Sequence, residues 1–154
     1  MRRKMLRSAT IALIILAMPL TVSPHEGAEG VVKTRMASMK VMASSMKSLS
    51  LVARGKAQID ATEIKSHIVK IRKESGERLL QLFPKGSDVH PSEANPEIWD
   101  DWNEFAKLAE ELSLNADLLA SSISNADPHS SFARAFKKLS AICSNCHKRF
   151  RIKK

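Results

Sequence analysis

Phe132-Ala133-Arg134-Ala135-Phe136-Lys137-Lys138-Leu139-Ser140-Ala141-Ile142-Cys143-Ser144-Asn145-Cys146-His147-Lys148-Arg149-Phe150 is the stretch that decides the fold. Phe132, Phe136, Leu139, Cys143, Cys146 and Phe150 follow one another in steps of four and three. That spacing lays a single apolar stripe along a helix, the pattern a bundle core requires. Asp127-Pro128 just upstream reads as its start, a capping side chain followed by Pro in the first turn. Working back along the chain, Asn95-Pro96 repeats this signature. Behind it Ile98, Trp102, Phe105, Ala109, Leu112, Ala116, Leu119 and Ile123 form a second stripe of the same period.

Two more helices precede these. One runs from about Gly30 to Arg54, with Val32, Met39, Met42, Met46 and Leu49 on its stripe and Gly55 as its stop. The next begins at Asp60, whose spacing to Glu63 resembles a capping box, and runs to about Leu82 through Ile64, Ile68, Ile71 and Leu79. Phe83 to Ala94, with two Pro and one Gly, is the only long connection. Alternation of β-branched residues is missing. Short links make sequence neighbours antiparallel, so the expected fold is all-α, an up-down-up-down antiparallel four-helix bundle.

The chain has 154 residues, enough for one domain with a real core. Residues 1–23 read as a secretory signal: Arg2, Arg3, Lys4 and Arg7 precede an apolar run from Ala9 to Leu20. Twelve residues are short of the roughly 20 that cross a bilayer, and no second apolar run follows. Cleavage near Thr21-Val22-Ser23 leaves residues 24–154 as the mature domain; an uncleaved anchor is the alternative. The formal charge of +9 includes the four signal cations, so the mature chain carries +5. An exported protein meets little nucleic acid, which removes most of the support for nucleic-acid binding.

Cys143-Ser144-Asn145-Cys146-His147 is the C-x-x-C-H pattern of c-type haem attachment. At i, i+3 and i+4 the three side chains share one helix face. Two thiols can then add to the two vinyl groups of one haem while His147 offers a nitrogen to its iron. Both Cys lie on the inward stripe, so such a haem would replace part of the core. A thioredoxin-like redox pair needs a βαβ context, absent here. A structural zinc site needs four ligands, and Cys143, Cys146 and His147 are three. A Cys143–Cys146 disulfide would strain a helical turn.

The residues after the signal resemble the cytochromes c′ and their low-spin relatives, the class II cytochromes c. The resemblance rests on four helices, a C-terminal C-x-x-C-H continuing as His147-Lys148-Arg149-Phe150-Arg151, Pro96-Glu97-Ile98-Trp99, and Val32-Lys33-Thr34-Arg35 followed by Met39. Lys56 after Gly55 departs slightly from the family's Lys-Gly close. The resemblance implies one covalent haem c, a periplasmic location, redox partner proteins and a homodimer through the first two helices.

An antiparallel bundle sets the early first helix level with the late fourth, which selects Arg35, Met36 and Met39 as haem neighbours. The family places an apolar residue or a ligating Met at the position matching Met39. A ligating Met39 means a six-coordinate electron carrier. A Met39 that only covers the iron means a five-coordinate, high-spin haem binding nitric oxide or carbon monoxide. Met42 and Met46 read as core filler. Arg35 and Arg151 read equally as haem neighbours or as solvated helix charges, and Glu93 matches an acidic family position near the haem. Trp99, Trp102 and Phe105 read as packing, the histidines at 25, 67, 90 and 129 as surface or cap residues. The basic run Lys148, Arg149, Lys153, Lys154 reads as solvated, with a possible bias toward an acidic redox partner.

Overall fold

A computed structural model describes residues 28–124 and 127–152. The signal segment, Lys153 and Lys154 lie outside the described residues. Within them the chain folds into α1 (Gly30–Ala53), α2 (Ala61–Lys73), α3 (Glu77–Leu80), α4 (Glu97–Asp100), α5 (Trp102–Ser122) and α6 (Pro128–Phe150). The four long helices form the expected bundle: α1 packs on α2 and α6, and α5 packs on the same two. Leu49, Ile71, Ile98, Leu119 and Leu139 are fully buried at its centre. Each such side chain stabilises the fold by about 1.5–3 kcal/mol.

The helix ends follow the local signals. At the end of α1 the Gly55 N–H donates to the Val52 carbonyl (2.9 Å) and the Lys56 N–H to that of Leu51 (2.8 Å). This is a Schellman close, and it places Gly55 at φ +65°. Asp60 accepts from the Glu63 N–H at 2.8 Å and Asp127 from that of Ser130 at 3.2 Å, so both expected caps form. Asn95 accepts from the Glu97 N–H at 3.1 Å.

Two helices are shorter than their periodicity predicts. The second does not run to Leu82: it ends at Lys73, and the chain turns through Gly76 before α3. There the Gly76 N–H donates to the Ala109 carbonyl of α5 at 3.0 Å, at a φ of +59°. A Cβ would lie 3.3 Å from Glu110 Oε2 and 3.4 Å from Ser113 Cβ. Close approach to α5 overrides the helical pattern. The third helix likewise breaks at Asp101, whose side chain caps α5 by accepting from the Glu104 N–H. Trp102, expected on the inward stripe, is 36% exposed as the first residue of α5.

Candidate haem-attachment site

The site lies at one end of the bundle. A Cβ added to Gly55, just past α1, would meet His129 Nε2 at 3.6 Å, so the close of α1 adjoins the start of α6. The opposite ends therefore place the Arg35–Met39 turns of α1 toward the Cys143–Phe150 turns of α6. The segment between α3 and α4 ties these turns together. The Asn95 N–H donates to the Phe150 carbonyl (3.0 Å) and the Ile152 N–H to that of Glu93 (2.9 Å). Ala94 and Arg151 form an antiparallel bridge.

Cys143 and Cys146 are free, half-buried and packed against the core cluster. Burial raises both thiols, Cys146 to about 11 with Cys143 adding to the effect. His147 is exposed as a residue, yet desolvation of its ring, helped by Arg151 and opposed by Glu93, lowers its pKa. It is therefore a neutral imidazole at neutral pH, the form that ligates a metal. Among the described residues no three His, Cys, Asp or Glu converge on one point suited to a metal ion. Two inward thiols and a neutral imidazole along one helix face fit a haem edge instead.

Arg35 is neither solvated nor loosely held. It is 5% exposed, and its five N–H donors all meet protein acceptors. Nε and Nη2 donate to the Leu82 carbonyl (3.0 and 2.8 Å); Nη1 donates to the Ser87 carbonyl (3.0 Å) and Ser92 Oγ (2.9 Å); Nη2 also reaches Ser87 Oγ. Its guanidinium stacks 4.0 Å from the Phe83 ring centroid. Desolvation lowers its pKa to about 10, against the attraction of Asp88, so it stays charged. Met39 is half-buried against the core cluster; Met36 is half-buried beside it in sequence, outside that cluster.

Arg149 and Arg151 are exposed but paired. Arg149 pairs with Glu97 (2.9 Å) and Asp101 (2.6 Å), Arg151 with Glu93 (2.6 Å). Trp99 donates from Nε1 to the Phe83 carbonyl at 3.0 Å, and Phe105 stacks edge-on between Phe83 and Phe150. His67 departs from the surface reading: its side chain is 15% exposed, and its buried Nδ1 has no hydrogen-bond partner among the described residues. Ser87 and Ser92, the acceptors for Arg35, carried no signal in the sequence, because loop serines have no period that announces a partner.

A four-helix bundle whose last helix presents two free thiols and an imidazole within one turn defines a c-type cytochrome of the bundle class. The chain belongs to the cytochrome c′ family, described as Cytochrome C', whose pattern matches residues 30–151. Its members carry covalent haem c. Cytochrome c-556 of Agrobacterium fabrum (strain C58 / ATCC 33970) is 31% identical over 127 residues, covering 82% of this chain and 84% of that protein. Among solved structures, cytochrome c′ from Rhodopseudomonas palustris superposes with a TM-score of 0.74 at 26% identity, covering 82% and 99% of the two chains. A nitric oxide complex of a mutant cytochrome c prime from Alcaligenes xylosoxidans gives 0.69 at 28% identity, covering 80% and 94%.

Proposed function

We propose that this cytochrome is an exported, periplasmic electron carrier. Cys143 and Cys146 hold the haem by thioether bonds, His147 ligates its iron from α6, and Met39 offers its sulfur from α1. When bound, the haem supplies a one-electron ferric/ferrous couple. The protein's own residues bind it, exclude water and fix the ligand distances. The carrying observation is a half-buried Met on the turns of α1 that lie toward His147, since His/Met ligation raises a haem's potential and leaves no vacant position. Arg35 acts here by bracing the 82–92 segment against α1. Exposed Val41 on α1 and Val69 on α2 suit a homodimer through these helices.

The second reading is a five-coordinate haem that binds nitric oxide or carbon monoxide, with Met39 only packing over the iron. Its support is that Met39 packs against the core cluster, together with the nitric oxide complex formed by the Alcaligenes relative. Absorption spectra of the ferric and ferrous protein, with and without carbon monoxide, separate the two. A low-spin iron indifferent to carbon monoxide supports the carrier; a high-spin iron that binds it supports the gas-binding protein.

A further inference from the structure

Lys33, Lys40, Lys47 and Arg54 recur every seven residues along α1 and past its end, and all four are exposed. Seven residues are close to two helical turns, so these cations form one row that drifts by only about 20° per step. Arg54 shows where the row runs, because with Ala53, Phe136, Lys137 and Ser144 it lines a shallow groove between α1 and α6. On the α6 side, Arg134, Lys137 and Lys148 are exposed within about 60° of one another around the helix. Neither α1 nor α6 contains an Asp or Glu. None of the seven cations makes an ion pair with a described residue.

The acids gather on the other side of the bundle. Helix α5 carries Glu104, Glu110, Glu111 and Asp117 against Lys107. Since α5 packs on α2 and α6, it lies diagonally across from α1. Helix α2 is basic as well, with Glu63 against Lys65, Lys70, Arg72 and Lys73, so the dipole runs from α5 toward α1 and turns the α1 side, α6 included, toward a negative surface on approach. The same two helices carry Met39 and the Cys143–His147 motif.

We propose that the α1–α6 face docks an acidic protein surface that exchanges electrons with the haem; this rests on the electron-carrier reading above. A protein fits better than a lipid surface. Arg54 and Lys137 line a concave groove, and the exposed positions beside the α1 row include Ala37, Ala43 and Ser44, with Leu51 the one bulky apolar side chain on it. Insertion into a membrane interface uses a broad face of large apolar residues. Ala37, on the Arg35–Met39 turns, lets a partner come close to the haem end of this face.

The test uses the haem-loaded protein and an acidic flavodoxin as the probe, with electron-transfer rates measured by stopped flow. The expected rate falls about tenfold between about 10 and 200 mM salt. Lys40→Glu/Lys47→Glu/Lys137→Glu lowers it about tenfold at low salt, whereas Lys65→Glu/Lys70→Glu/Lys73→Glu on α2, the same change in net charge, lowers it less than about threefold. Both variants keep the unmodified rate with uncharged ferrocenemethanol. Equal losses in the two variants overturn the proposal, as does a rate that ignores salt. Binding to phosphatidylglycerol vesicles, or a salt-sensitive dimer, that depends on Lys40, Lys47 and Lys137 while the flavodoxin rate does not, also overturns it. If the unmodified protein exchanges no electrons with ferrocenemethanol, the carrier reading fails instead. Flavodoxin binding by calorimetry in the same variants then decides the docking face.

Discussion

Arg35 donates twice to the carbonyl of Leu82, from Nε at 3.0 Å and Nη2 at 2.8 Å, across 47 residues of sequence. With Ser87 and Ser92 this makes one side chain of α1 the fixing point for the segment that leads to the end of α6. Lys cannot reproduce a planar five-donor fork. Arg35→Lys and Arg35→Ala are therefore both expected to destabilise the haem-loaded protein, Ala by about 3 kcal/mol, because buried acceptors at Leu82 and Ser87 lose their donors. Denaturant unfolding measures the loss, and hydrogen exchange places it between residues 82 and 95. A loss under about 0.5 kcal/mol contradicts the clamp.

Cys143→Ser/Cys146→Ser removes both thioether bonds. The variant is expected to release its haem completely to acidified acetone, whereas the unmodified protein keeps its colour through extraction. Each single variant keeps a covalent bond and retains haem. Retention by the double variant contradicts the assignment.

Gly76→Ala probes the unforeseen break between α2 and α3. At φ +59° and ψ −139° only Gly is unstrained, and the added methyl meets Glu110 and Ser113 of α5. The expected loss is about 2 kcal/mol in denaturant unfolding, and a variant as stable as the unmodified protein contradicts the strain.

Asp127 sets a pH dependence. Its hydrogen bonds with Ser130 hold its pKa below the ordinary 3.8, opposed by desolvation and helped by Arg134 and His129. The unfolded chain therefore takes up this proton first as the pH falls. The cap's contribution is full above the ordinary value and is lost as the pH drops through the lower folded one. Asp127→Ala is expected to lower the thermal midpoint at pH 7, with the difference shrinking below pH 3.8. A difference constant down to pH 2.5 contradicts the cap.

The stripe from Phe132 to Phe150 was legible because every step of four and three was filled, and it carried the motif with it. Asp60 and Asp127 were legible as caps because a cap acts within its own first turn. Gly76 was not: Ile71, Leu79 and Leu82 keep a helical period across it, and only the Ala109 carbonyl of α5 shows why the chain turns. Arg35 was not legible as a clamp because its acceptors lie in a loop 47 to 57 residues away. The partners of Arg149, read as part of a solvated run, and of Arg151, read as a haem neighbour or a solvated charge, were hidden for the same reason, being supplied by Glu93, Glu97 and Asp101. His67 stood one position before the buried Ile68, and that adjacency was the signal available for its burial.

Met39 carries the central claim, and its methyl group reports on it directly. Residues 24–154 contain four Met, at 36, 39, 42 and 46. In the ferrous protein labelled on its methionine methyls, a Met bound to iron sits under the haem ring, and its resonance moves far upfield of the other three. The account predicts one such signal, absent from Met39→Leu, with the remaining three unmoved. Four methyl signals in the ordinary range, in a ferrous protein that also binds carbon monoxide, would contradict it.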